Sequence, residues 1–220
     1  LLGGSSGNNV VLGGGDDIAP GDPFVDDTVA LGNASGNNII SFETNDSTFR
    51  ASIESDATSG DNTILSGGSR LNADLYAVSG HNVVDGSHSS SIEVKIGGRS
   101  DSDAGSAWGI NDKDDSFISQ ADNTVLGSDN ADYVSFINAA GNNLIDLAGG
   151  NDEVFISDRA GGTNATIYLG DGDDVFHAFN RCYAGLHFVR GDFGGDFDMQ
   201  RQGIACGSQG RLNTLGQPVP

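Results

Sequence analysis

The chain has 220 residues, including 34 Gly but only 4 Pro and a single Met, and 31 acidic residues against 10 basic give a net charge of −21. So large a negative excess argues against nucleic acid and anionic membrane surfaces as partners. No apolar run approaches the ~20 residues of a membrane-spanning helix, and no window holds a helical apolar period, which leaves a turn-dense all-β chain.

The first elements in chain order share the form Gly-x-Asn-x-(Val/Ile). It reads Gly7-Asn8-Asn9-Val10-Val11, Gly36-Asn37-Asn38-Ile39-Ile40, Gly60-Asp61-Asn62-Thr63-Ile64, Gly80-His81-Asn82-Val83-Val84 and Gly141-Asn142-Asn143-Leu144-Ile145. Ala121-Asp122-Asn123-Thr124-Val125 lacks the Gly, and Thr163-Asn164-Ala165-Thr166-Ile167 is the weakest copy. The aligned Asn positions 9, 38, 62, 82, 123 and 143 lie 29, 24, 20, 41 and 20 residues apart. The spacing of 41 is about two periods, so a degenerate copy is expected within Arg99–Ile110. A period near 20 residues means a solenoid, each unit burying its apolar edge against its neighbours.

Between these copies lies a second motif, Gly-x-Asp-x-apolar. Gly150-Asn151-Asp152-Glu153-Val154 and Gly172-Asp173-Asp174-Val175-Phe176 carry it fully. Looser versions are Asn72-Ala73-Asp74-Leu75-Tyr76, Lys113-Asp114-Asp115-Ser116-Phe117 and Asn130-Ala131-Asp132-Tyr133-Val134. Two turn–strand halves per unit predict a right-handed parallel β-roll or β-helix, with about eight coils of ~20 residues over 1–179. The segment 180–220, of different composition, is expected to cap the last coil.

Side chains alternate along a strand. Val11, Ile40, Ile64, Val84, Val125, Ile145 and Ile167 therefore form one inward, β-branched row, and the Asn two residues earlier faces the same way. Their amides are expected to bond from coil to coil, sparing the cost of burying unpaired polar groups. Tyr76, Phe117, Val134, Val154 and Phe176 are the expected inward residues of the Asp half, with Ile118, Phe155 and His177 outward. The outward row of the Asn half is Val10, Ile39, Thr63, Val83, Thr124, Leu144 and Thr166. A flat apolar and Thr-rich stripe of this length is expected to dock a protein partner or another copy of the chain; covering by the long inserts and ice binding are the alternatives.

Aspartates at repeat positions add an electrostatic constraint. Coils about 4.8 Å apart place stacked carboxylates at roughly 3–4 kcal/mol of repulsion per pair at an effective dielectric near 20. Such a stack must face solvent or hold a cation, and hard oxygen ligands select Ca²⁺. Leu169-Gly170-Asp171-Gly172-Asp173-Asp174-Val175-Phe176, Leu12-Gly13-Gly14-Gly15-Asp16-Asp17 and Ala148-Gly149-Gly150-Asn151-Asp152-Glu153-Val154 resemble the nonapeptide of the RTX (repeats-in-toxin) calcium-binding β-rolls, Gly-Gly-x-Gly-x-Asp-x-apolar-x. That resemblance implies calcium between stacked turns, here at Asp152 and Asp174 with Asp171 and Asp173 assisting, and at Asp17. It also implies a secreted or cell-surface setting. Plain Asp-Gly turns without metal are the alternative.

Cys182 and Cys206 are the only cysteines and suggest a disulfide in the cap, worth about 3 kcal/mol, with two free thiols as the alternative. The sequence opens at Leu1 with neither Met nor a signal peptide, as in a processed product, a fragment or an incompletely determined N-terminus. No nucleophile–base pair, zinc spacing or phosphate loop is visible, so the chain is not expected to be an enzyme. The expected role is structural, that of an adhesin-like, coat or surface-layer solenoid. The competing expectation is a carbohydrate-active β-helix of lyase or epimerase type, or its glycan-targeting module.

Overall fold

The computed structural model describes residues 2–3, 7–14, 27–32, 36–43, 48–54, 60–68, 70–76, 79–97, 120–137, 139–157, 163–179, 185–188, 191–193, 211–212 and 218–219. Among them there is no helix, and the architecture is all-β. Consecutive strands, numbered in chain order, fall alternately into two sheets. One contains β1 (Leu2–Gly3), β3 (Asp27–Gly32), β5 (Thr48–Glu54), β7 (Arg70–Tyr76), β9 (Ser91–Gly97), β11 (Tyr133–Ile137), β13 (Glu153–Ser157) and β16 (Val175–Phe179), in that spatial order. The other contains β2 (Asn9–Gly14), β4 (Asn38–Glu43), β6 (Asn62–Gly67), β8 (His81–His88), β10 (Asp122–Leu126), β12 (Gly141–Asp146), β14 (Thr163–Tyr168) and β17 (Gly185–Phe188). We call them the Asp sheet and the Asn sheet. Every pairing within them is parallel. Two short pairs complete the set, β15 (Gly170–Gly172) with β18 (Gly191–Phe193) and β19 (Arg211–Leu212) with β20 (Pro218–Val219).

The register follows the sequence motif. Asn9, Asn38, Asn62, Asn82, Asn123, Asn143 and Ala165 are successive partners across the Asn sheet. Two residues later comes the β-branched row, with Ile40, Ile64, Val84, Val125 and Ile145 wholly buried and Ile167 nearly so. β-branched side chains lose little freedom in an extended backbone and pack well on its pleated surface. Opposite them the Asp sheet buries Ala73, Val94, Val134, Val154 and Phe176, partners of one another, and then Leu75, Ile96, Phe136 and Ile156. Burying each such aliphatic contributes about 1.5–3 kcal/mol over leaving it in water.

The glycine that opens each Asn motif has a steric reason. Gly80 has φ +95°, and a Cβ there would stand 2.7 Å from the carbonyl carbon of Gly60 in the neighbouring turn. Stacked turns at strand spacing leave room for a hydrogen only.

Three expectations need correction. The spacing of 41 hides no extra copy, because β8 pairs directly with β10 and β9 directly with β11. Arg99–Ile110 itself lies outside the described residues. Within β7 the inward residues are Leu71, Ala73 and Leu75, so Asp74 faces outward, three positions beyond Leu71, which holds the Asp-column position, and stands beside Lys95. Phe155 does occupy an outward position by alternation, yet it is only 3% exposed, as its partner Ser135 is 4%. That strip of the outer face is covered. Phe117 and Ile118 lie outside the described residues.

Candidate functional site

Two polar columns run through the interior and two contrasting faces look outward. In the Asn column each side-chain amide donates to the carbonyl oxygen of the next. Asn9 Nδ2 bonds Asn38 Oδ1 at 2.7 Å, Asn38 bonds Asn62 at 2.7 Å, Asn62 bonds Asn82 at 2.7 Å, Asn82 bonds Asn123 at 3.0 Å and Asn123 bonds Asn143 at 2.7 Å. The second amide hydrogen returns to the local turn, as from Asn38 to Gly36 O and from Asn62 to Gly60 O. Asn38, Asn62, Asn82 and Asn123 are 1% exposed, and both amide donors of Asn38, Asn62 and Asn123 are used. This column is structural. One residue earlier, an exposed copy of the same device links the turns, with Asn37, Asp61 and His81 N–H donating to the side chains of Asn8, Asn37 and Asp61.

The Asp column is less complete. Asp132, Asp152 and Asp174 immediately precede β11, β13 and β16, in line with their register, two residues before Val134, Val154 and Phe176, and are 3%, 1% and 2% exposed. Each Oδ1 accepts a backbone N–H from the preceding strand. Ile92 N–H donates to Asp132 at 2.7 Å, Asp132 N–H to Asp152 at 2.9 Å and Asp152 N–H to Asp174 at 3.0 Å. Asp132 is further satisfied, since Ser128 donates its N–H to Oδ2 at 2.7 Å and its hydroxyl to Oδ1 at 2.9 Å. The Oδ2 atoms of Asp152 and Asp174 are buried with no hydrogen-bond partner.

A buried carboxylate with one N–H bond is poorly compensated, and its neutral form is favoured. Burial therefore raises the pKa of all three, with Asp152 pushed from the ordinary 3.8 up to about 8, helped by the charges of Asp132 and Asp174 on either side. Asp174 also feels Asp173 and Asp171. Of the sequence-expected metal ligands, Asp152 and Asp174 are thus brought together in the interior. Asp171 and Asp173 sit exposed in the adjoining turn, where Asp171 O accepts Gly150 N–H at 2.8 Å and Asp173 N–H donates to Asn151 Oδ1 at 3.1 Å. Among the described residues no three His, Cys, Asp or Glu side chains converge as a metal cluster. The orphaned Oδ2 pair nevertheless has the chemistry of a hard-cation ligand, negative, oxygen-based and otherwise unpaired. Asp17, Cys182 and Cys206 lie outside the described residues.

Outside the Asn sheet, Val10, Ile39, Thr63, Val83, Thr124, Leu144 and Thr166 are consecutive partners in a single outward row. Val10 is 61% exposed, Ile39 41% and Leu144 36%, while the Thr residues and Val83 are partly exposed. Leu12 and Tyr168 extend the apolar area at its two ends.

The outer face of the Asp sheet is ionic, and sequence reading saw only part of it. Glu93 accepts Lys95 Nζ at 2.7 Å and Arg70 Nη2 at 3.1 Å. Those two cations hold its carboxyl below the ordinary range despite partial burial, and Glu93 in turn raises Lys95. Tyr133 is the partner of Glu93 on one side and of Glu153 on the other. Burial raises the Tyr133 hydroxyl, and His177 Nε2 approaches Glu153 Oε1 at 3.3 Å. Arg99 and Asp101, which follow closely in sequence, lie outside the described residues. Tyr133, Glu153 and His177 were missed because no local motif joins them. Counting one residue beyond each Asp-column position would have found the first two. No family model matches this chain, and neither a curated protein nor a solved structure does.

Proposed function

We propose that the chain is a secreted or cell-surface structural module: a right-handed parallel β-solenoid of about eight coils with a C-terminal cap, similar to the RTX β-rolls and non-enzymatic. The observation that carries this reading is the unbroken outward row from Val10 to Thr166, in register across seven strands of one sheet. Soluble monomers rarely present so long a flat apolar stripe. It suits a neighbouring protein chain, as in an adhesin, a coat or a surface layer. Calcium is part of the proposal. Asp152 and Asp174 would hold it through their unpaired Oδ2 atoms, with Asp171 and Asp173 in the adjoining turn adding negative charge. The ion would supply the positive charge that two buried carboxylates lack.

The test is sedimentation of the wild type against a variant carrying Ile39→Lys, Val83→Lys and Leu144→Lys. Assembly of the wild type and a folded, monomeric variant are expected. A monomeric wild type whose sedimentation the three lysines leave unchanged would refute the docking role.

A further inference from the structure

We propose that the outer face of the Asp sheet binds a neutral linear polysaccharide along the row Asn72, Glu93, Tyr133 and Glu153. These residues are successive partners on β7, β9, β11 and β13, so one functional group is presented per strand, at steps of about 4.8 Å. A polymer crossing the strands meets a regular series of groups, which a small globular ligand would not use.

The chemistry of the row fits a polyol. Two carboxylates flank an aromatic ring. Each carboxylate has about four acceptor sites, so Glu93 keeps capacity for sugar hydroxyls after accepting from Arg70 and Lys95. Those two cations and His177 also hold the carboxylates in place, which reduces the entropy lost on binding. The half-buried ring of Tyr133 offers an apolar platform for the C–H face of a sugar, with its hydroxyl tied to Ser135. Asn72, partly exposed, extends the row by one strand. Ser135 and Phe155, in the next outward row, are buried, so the series runs along the foot of a covered strip and is shielded on that side.

Charge selects the class of polymer. Glu93 and Glu153 accept hydrogen bonds and offer nothing to a sugar carboxylate or sulfate, and the net charge of −21 repels polyanions at long range. The cations of the face, Arg70 and Lys95, are already engaged by Glu93, which leaves a neutral glycan. The site is separate from the apolar row of the Asn sheet, and the two can fail independently.

The experiment is affinity electrophoresis of the full chain through gels containing soluble galactomannan, xyloglucan, β-glucan or polygalacturonate. At least one neutral polymer is expected to retard the wild type, and polygalacturonate is not. Tyr133→Ala and Glu153→Gln should each weaken the retardation about tenfold, the loss of one good contact. Tyr133→Phe should stay within about twofold, because the ring remains, and Asp146→Asn on the opposite sheet should migrate as wild type. Far-UV circular dichroism checks each fold, and Glu153→Gln decides if Tyr133→Ala is unfolded. The proposal is overturned if no neutral polymer retards the wild type, if polygalacturonate does so equally, or if Glu153→Gln binds undiminished.

Discussion

Replacing Asp152 by Asn tests whether the interior column stores electrostatic stress that calcium relieves. The folded-state pKa of Asp152 is raised from 3.8 to about 8. A raised acid pKa means that stability is complete below the unfolded value and is lost as pH climbs through the folded one. The window is therefore about pH 4 to 8. At pH 7 the cost of keeping the buried group protonated, when the unfolded chain would have ionised it, approaches about 4 kcal/mol, an upper bound since the interior can relax. Asn has the same shape, its carbonyl can still accept Asp132 N–H, and it carries no charge at any pH. In EDTA the wild type should lose melting temperature steadily from pH 5 to 8, at about 2–4 °C per kcal/mol for a chain of this size. Asp152→Asn should lose less over the same range, the remainder coming from the raised Asp132 and Asp174, and melt above the wild type at pH 8. With calcium at about 100 times its dissociation constant the wild type should gain about 2.7 kcal/mol, offsetting much of its loss at high pH, since the metal needs the ionised form. The variant should not respond. Thermal melts by circular dichroism at four pH values, with EDTA and with calcium, give the whole comparison. A wild type whose melting temperature is level across pH 5–8 in EDTA would refute the buried-charge argument. Identical melts in EDTA and calcium would refute the metal.

Other outcomes follow from the same geometry. Asp174→Asn should abolish the calcium response while the N-terminal strands keep their protection in hydrogen exchange, because their column is Asn and aliphatic; uniform loss along the chain would contradict this. Asn82→Ala should cost about 3 kcal/mol in urea titration, as it strands the Asn62 amide and the Asn123 carbonyl inside the stack. Gly80→Ala should destabilise by at least about 1–2 kcal/mol, because φ is +95° and the Gly60 backbone blocks the Cβ; an unchanged urea midpoint would show that the turns can separate freely.

The Asn half was legible because six of its seven copies carry Asn with a β-branched residue two positions later, and Ala165 keeps the same alternation. The ladder, the β-branched row and the outward row all follow from placing Asn on the inner side. The Asp half was only partly legible. At the position of Asp132 the earlier strands carry Ile92 and Leu71, so the column changes from aliphatic to acidic partway along the stack. Leu and Ile there give no marker, and Asp74 two residues downstream of Asn72 imitates one. Orphaned oxygens cannot be read from sequence at all, since Ser128 satisfies Asp132 while the equivalent oxygens of Asp152 and Asp174 have no such neighbour. The Glu93–Tyr133–Glu153 row escaped because its members belong to different copies, and adjacency comes only from the register.

The direct pairing of β8 with β10 has a wider meaning. Asn82 reaches Asn123 across 41 residues with the same kind of bond that joins Asn62 to Asn82 across 20. The stack therefore counts strands and not residues. Length added at a corner costs only loop-closure entropy, which grows by about 0.6 kcal/mol for each doubling. Such a scaffold can acquire or lose whole segments between strands while both outer faces keep their spacing. The stretch between Gly97 and Gln120 is the natural port for grafting a foreign peptide or domain, and ladder register is the criterion by which a graft would succeed.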